Sequence, residues 1–312
     1  MLMKLQFLSL LLLFTLPCFA YERCVIMREG VIYVQPDSSA AKLSDISRGR
    51  ELTVLERSTQ WAHVTATVAE GGEFGSDRDV SGWLFDRGII CTNTPNGDHI
   101  LFGEAVDSEN QDATRGGRKG AADDAKRLYY RLSEYFPNSP LAGEALYRAA
   151  DIQWQLEKED SSTRRSSKNR DPHDRLPIDE DWMKQVEKKF PRTKWAEMAA
   201  FRRLDNKLCG EWNMEAKCPE KEADIYEKYA AEHPQSPSTP EALYNAAWRW
   251  AALIQIYPVD GKANKVDEAK QRATTIAKQL LAKNASPDWN ARAERLIYMV
   301  SNNVPTYGTA VQ

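Results

Sequence analysis

The sequence predicts a multidomain β + α chain: a small β-barrel first, then an all-α array of stacked helical hairpins. Three observations carry this. Between residues 24 and 91, short runs rich in β-branched and aromatic residues recur between turn signals. From residue 120 onward, proline turns punctuate amphipathic stretches, and one turn sequence returns several times. The length, 312 residues, is more than one domain usually holds.

Residues 1–20 read as a signal peptide. They carry one charge, Lys4, then the apolar run 8–16, then Cys18-Phe19-Ala20 with small residues at the first and third places. That run is shorter than the roughly 20 residues that span a bilayer. A lipid-attachment site takes a small residue before its cysteine, and Pro17 and Arg23 do not fit before Cys18 and Cys24. No later run has transmembrane length. The expected location is periplasmic or secreted, with no integral membrane segment in the mature chain.

Four cysteines remain after the leader, Cys24, Cys91, Cys209 and Cys218. An even number suits disulfides in an oxidising compartment. Of the three connectivities, Cys24–Cys91 and Cys209–Cys218 are favoured. The first brackets the β-rich segment, and the second closes a short loop between helices. A zinc site would need closely spaced ligands, but the four histidines fall in four different segments and no cysteine has a ligand-spaced neighbour. No metal and no cofactor are expected.

The first domain is expected over residues 21–95, with strands at 24–27, 31–34, 51–56, 61–68 and 82–85. Pro36 and Ser38 in a turn, Gly49 before an alternating strand, Trp61 with Val64, and the late Gly82-Trp83-Leu84 resemble the bacterial SH3-like domain. The resemblance covers about 70 residues and implies a small barrel whose rim aromatics form a groove for a peptide or a wall component. Tyr33, Trp61, Phe74, Trp83 and Phe85 are the candidate ligand-binding residues. For Trp61 and Trp83 the stronger expectation is that they fill the barrel core.

Residues 96–119 are expected to be a linker, because 107–120 lacks large apolar residues and is rich in Gly, Ser, Asp and Arg. Residues 120–302 then read as helical repeats. Phe136-Pro137-Asn138-Ser139-Pro140, Phe190-Pro191-Arg192-Thr193 and His233-Pro234-Gln235-Ser236-Pro237 each end one helix and open the next, and a degenerate copy begins at Ala285-Ser286-Pro287. The copies are 54, 43 and 50 residues apart, more than the roughly 34 of a tetratricopeptide repeat. A charged insert at 158–180 and the Cys209–Cys218 loop account for much of the excess. A short tail, 303–312, follows. The region resembles tetratricopeptide-like arrays of bacterial envelope proteins, of the outer-membrane assembly lipoprotein and Tol–Pal-associated coordinator type. That resemblance implies a concave surface for a protein partner. Trp248 and Trp250 stand two apart and cannot share a helix face, so one is expected outside; Trp250 is the candidate anchor.

The catalytic motifs sought are absent: no nucleophile elbow, P-loop, dinucleotide fingerprint or zincin helix. Lys plus Arg total 42 and Asp plus Glu 45, a net charge of −3 that argues against nucleic-acid binding. The expectation is a non-catalytic envelope adaptor, not an enzyme. Its helices would hold an envelope protein or peptide, and its barrel a peptide or wall component. The rivals are a peptidoglycan-recognition protein and an accessory to a cell-wall hydrolase.

Overall fold

A computed structural model describes residues 21–69, 77–163, 171 and 175–307. The signal-peptide reading of 1–20 and the candidate Phe74 lie outside the described residues, as do parts of the charged insert and the tail. The chain divides into two units, Met1–Thr94 and Pro95–Gln312.

The first unit is a single antiparallel sheet of seven strands: β1 Glu22–Ile26, β2 Gly30–Tyr33, β3 Lys42–Ile46, β4 Glu51–Ser58, β5 Trp61–Ala69, β6 Asp77–Phe85 and β7 Ile89–Cys91. Their order is β3-β2-β6-β5-β4-β1-β7. This corrects the expected barrel. Closure would require β3 to pair with β7, but β3 bonds only to β2 and β7 only to β1. The strand-like runs do encode strands, yet nothing in them makes the two edge strands meet. β7 is three residues long and is taken up by β1, where Cys24 stands opposite Cys91 and the two are disulfide-bonded.

The open sheet still buries one face by curling over it. A Cβ on Gly30 would stand 2.8 Å from Leu84 Cδ1, 3.1 Å from Ile26 Cδ1 and 3.5 Å from Ile46 Cγ2, atoms from three different strands. Gly82 is tighter, since a Cβ there would meet the Tyr33 carbonyl oxygen at 2.5 Å. Glycine lets β2 and β6 pair that closely. The buried set includes Ile26, Ile32, Ile46, Leu52, Val64 and Leu84.

The second unit contains nine α-helices among the described residues: α1 Gly97–Ala113, α2 Ala121–Tyr135, α3 Ala142–Thr163, α4 Asp181–Lys189, α5 Lys194–Arg202, α6 Lys217–Glu232, α7 Thr239–Val259, α8 Val266–Lys283 and α9 Pro287–Ser301. Most pack chiefly on their neighbours in sequence. None is long and apolar enough to cross a membrane. The proline turns fall at the junctions α2–α3, α4–α5, α6–α7 and α8–α9. The first three share one geometry. Phe136, Phe190 and His233 leave the helix at φ −126°, −126° and −125°, each still donating its N–H to a carbonyl four residues back. The following proline excludes the α conformation at that residue, so the helix stops there. At α9, Ser286 caps the helix by accepting from the Trp289 N–H.

One expectation is overturned here. The stretch 96–119 is not a linker, because α1 occupies most of it and packs on α2. Tyr129 on α2 donates its hydroxyl to Glu109 of α1 at 2.7 Å, and Arg148 on α3 joins the same carboxylate at 2.9 Å. Burial, helped by Glu109, raises the Tyr129 phenol well above its ordinary range. Of the charged insert, 158–163 completes α3, and Ile178 is buried, with its N–H donated to Asn206 Oδ1.

The second disulfide, Cys209–Cys218, closes the loop before α6. The Cys209 N–H donates to Glu222 Oε1 at 2.8 Å, and Glu222 pairs with Arg249 at 2.7 Å, both side chains nearly fully buried. The Arg249 guanidinium lies over the Tyr226 ring at 4.5 Å and near those of Trp212 and Trp248. Such a pair, once buried, must stay matched.

Candidate functional site: an aromatic face on the sheet

Strand alternation sorts β5 and β6 cleanly. In β5 the set Ala62, Val64, Ala66 and Val68 is buried, and in β6 the set Val80, Gly82 and Leu84. The intervening residues stand on the other face. Cross-strand pairs therefore run along that face: Trp61 opposite Phe85, His63 opposite Trp83, Thr65 opposite Ser81 and Thr67 opposite Asp79. Tyr33 of β2 extends the second pair, being opposite Trp83 on its free side.

The rings interlock. Trp61 stacks on Phe85 with centroids 4.1 Å apart, and Tyr33 meets Trp61 edge-on at 5.8 Å. His63 stacks on Trp83 at 5.0 Å. The Arg87 guanidinium lies 4.9 Å from the Phe85 ring centre. Such pairs fix each other's rotamers, so the face is preorganised as an apolar patch with a cationic corner. Toward the other end it turns polar, with Thr67 Oγ1 donating to Asp79 at 2.6 Å.

Four candidates, Tyr33, Trp61, Trp83 and Phe85, thus form one continuous patch, each partly exposed. The core role expected of Trp61 and Trp83 is corrected: strand alternation puts Ala62, Val64, Gly82 and Leu84 inside and both indoles on the other face. Trp250 is also corrected. It is 3% exposed, donates its indole N–H to Glu227 Oε1 at 2.7 Å, and is covered by Arg272 at 3.8 Å. Its neighbour Trp248 is the less buried of the two and packs on Trp212.

His63 and Arg87 belong to the patch but carried no motif. His63 could have been found by phase, since it alternates with buried Ala62 and Val64. It also bridges polar groups: Nε2 lies 3.3 Å from Ser81 Oγ and Nδ1 3.5 Å from Glu56 Oε1. The order resembles a nucleophile–base–orienter relay. Ser81, however, sits mid-ladder opposite Thr65, where paired strand backbone offers no oxyanion hole of converging N–H groups. The arrangement does orient the imidazole against Trp83. Among the described residues, Glu22 clusters with Cys24 and Cys91 within 4.8 Å, but both sulfurs are held in a disulfide and offer no thiolate to a metal.

No family model matches the chain, and a search of curated proteins returns no match either.

Proposed function

We propose that this chain is an exported, non-catalytic adaptor of the cell envelope: its sheet takes a peptide or wall component on the aromatic face, and its helical unit holds a protein partner. The observation that carries the reading is the outward row of Tyr33, Trp61, Trp83 and Phe85 on strands whose cores are complete without them. Side chains of this size left at a surface mark an interaction site when they form one patch. The two disulfides favour an oxidising compartment. The likeness of the proline turns to those of envelope coordinators points the same way.

Sedimentation with purified peptidoglycan tests the first half. The wild type should co-sediment, and Trp83→Ala should weaken retention about thirtyfold, the effect of losing an anchor near 2 kcal/mol. Equal retention of the folded variant would remove the aromatic face from the reading. Release of soluble muropeptides by the wild type, lost in Ser81→Ala, would replace the adaptor with a hydrolase.

A further inference from the structure

Beside α6 the helical unit has a groove that the adaptor reading leaves without a ligand. Three adjoining hollows of about 280, 560 and 440 Å³ share residues and follow the helix from Lys217 to His233. Leu204, Ile225 and Tyr229 give the hollow at the His233 end an apolar floor, and Ile225 also lines the middle one. The 3-10 turn Arg203–Lys207 borders the two end hollows, and the middle one is lined by α6 alone.

The walls are lined with amines. Lys217, Lys221 and Lys228 stand four and seven residues apart, spacings that place them on one helix face. Lys207 faces them from the 3-10 turn. Carboxylates are present too, but several are already engaged. Glu220 accepts from Tyr257 and Lys265, and Asp224 pairs with Arg272. Asp171 and Glu215 also make contacts, and their charges count against the lysines. Glu232 reaches Lys228 only at 3.8 Å. Among the described residues Lys207, Lys217 and Lys221 have no carboxylate partner. Three amines, Lys207, Lys217 and Lys221, thus stand against the carboxylates of Asp171 and Glu215, a small positive excess in a chain whose net charge is negative.

From this we infer that the groove along α6 binds an extended acidic segment of a protein partner, with carboxylates on the lysine rims and alternate apolar side chains on the Leu204–Ile225–Tyr229 floor. This rests on the adaptor reading and names its partner's chemistry. The helix has sixteen residues and so runs about 24 Å. An extended strand covers that length in about seven residues and presents every second side chain to the floor. A charged rim around an apolar floor gives register and salt dependence more than raw affinity.

The test uses the full chain and a fluorescein-labelled nonapeptide of alternating Glu and Leu, read by anisotropy against a Lys–Leu peptide of equal length. The Glu–Leu peptide should bind and weaken as salt rises. Lys217→Glu with Lys221→Glu should weaken it about tenfold, and the milder Lys217→Gln with Lys221→Gln about threefold. Lys278→Glu, on the exposed side of α8, should leave it unchanged. Equal binding by the folded double variants, or equal binding of the Lys–Leu peptide, would overturn the inference. Tighter lysine-dependent binding of anionic vesicles or single-stranded DNA would overturn the choice of a peptide. The same variants go through the peptidoglycan assay. Lost peptide binding with intact sedimentation is the expected pattern. Peptide binding by a wild type that never sediments would sink the wall half of the adaptor reading and leave the groove standing.

Discussion

The two units place their tryptophans on opposite sides of the same problem. In the sheet, the interior is filled by Val, Ile, Leu and Ala, and both indoles, Trp61 and Trp83, stand on the outer face. In the helical unit, Trp154, Trp212 and Trp250 are buried, and Trp182, Trp195, Trp248 and Trp289 are partly buried but packed against the helical cores. The reason is geometric. A curled sheet brings strands so close that even a methyl group on Gly82 would clash. Helices pack with their axes about 8–10 Å apart and leave gaps that can take large rings. An aromatic residue thus means different things in the two units. In the helices it reports packing, and on the sheet it marks a partly exposed face.

Truncation puts the sharpest test to that contrast. Trp154→Ala, at a side chain 1% exposed, should cost about 3–5 kcal/mol in urea unfolding, whereas Trp83→Ala should cost under about 1 kcal/mol and act on binding. Similar losses at both sites would mean that the aromatic face is structural. The disulfides come next. Cys24→Ser with Cys91→Ser opens a loop spanning 67 residues and should cost about 4 kcal/mol, while Cys209→Ser with Cys218→Ser opens one spanning 9 and should cost about 3. If the second pair proves the more damaging, the Glu222–Arg249 pair and Trp212 depend on the loop more than chain entropy allows. The smallest expected effect is a matter of pH. Burial raises the Glu180 carboxyl, but bonds from Asn206 and Arg203 outweigh it and leave it below its ordinary value. A carboxyl lowered on folding stabilises the fold above its unfolded pKa and loses that contribution as pH falls. Acid titration should therefore weaken the α4 junction below about pH 4.5, and Glu180→Gln should flatten the curve. An unchanged curve would leave Glu180 without a stabilising role.

Much of this was legible in the chain, and the misses have physical causes. Alternation identified β4 and β5, but the core role expected of Trp61 left its phase out: Trp61, His63, Thr65 and Thr67 share a face, and three of the four are polar. β3 escaped because Lys42-Leu43-Ser44-Asp45-Ile46 has only two apolar residues and lies at an edge. α1 was hidden because its buried stripe, Leu101, Glu104, Ala105 and Ser108, is half polar. The proline turns were plain, since the residue before a proline is constrained by local sterics alone. The aromatic patch and the lysine groove depend on residues brought together across strands and helices. No linear motif records such sites. Whether the sheet closes is likewise decided by distant edges and not by any strand in isolation.

That open sheet carries a further obligation, which is to keep its own copies apart. Every edge strand offers unpaired N–H and C=O groups to another chain. Here one edge, β7, is only three residues long and stapled to β1 by Cys24–Cys91, too short and too fixed to template a neighbour. The other, β3, is five residues long and carries Lys42 and Asp45, ion-paired with each other along its exposed side. An approaching strand would have to strip water from that pair before gaining its first backbone bond. The features that oppose edge-to-edge pairing are accordingly three residues of one edge and two charges of the other, and reducing conditions would weaken the first while leaving the second in place.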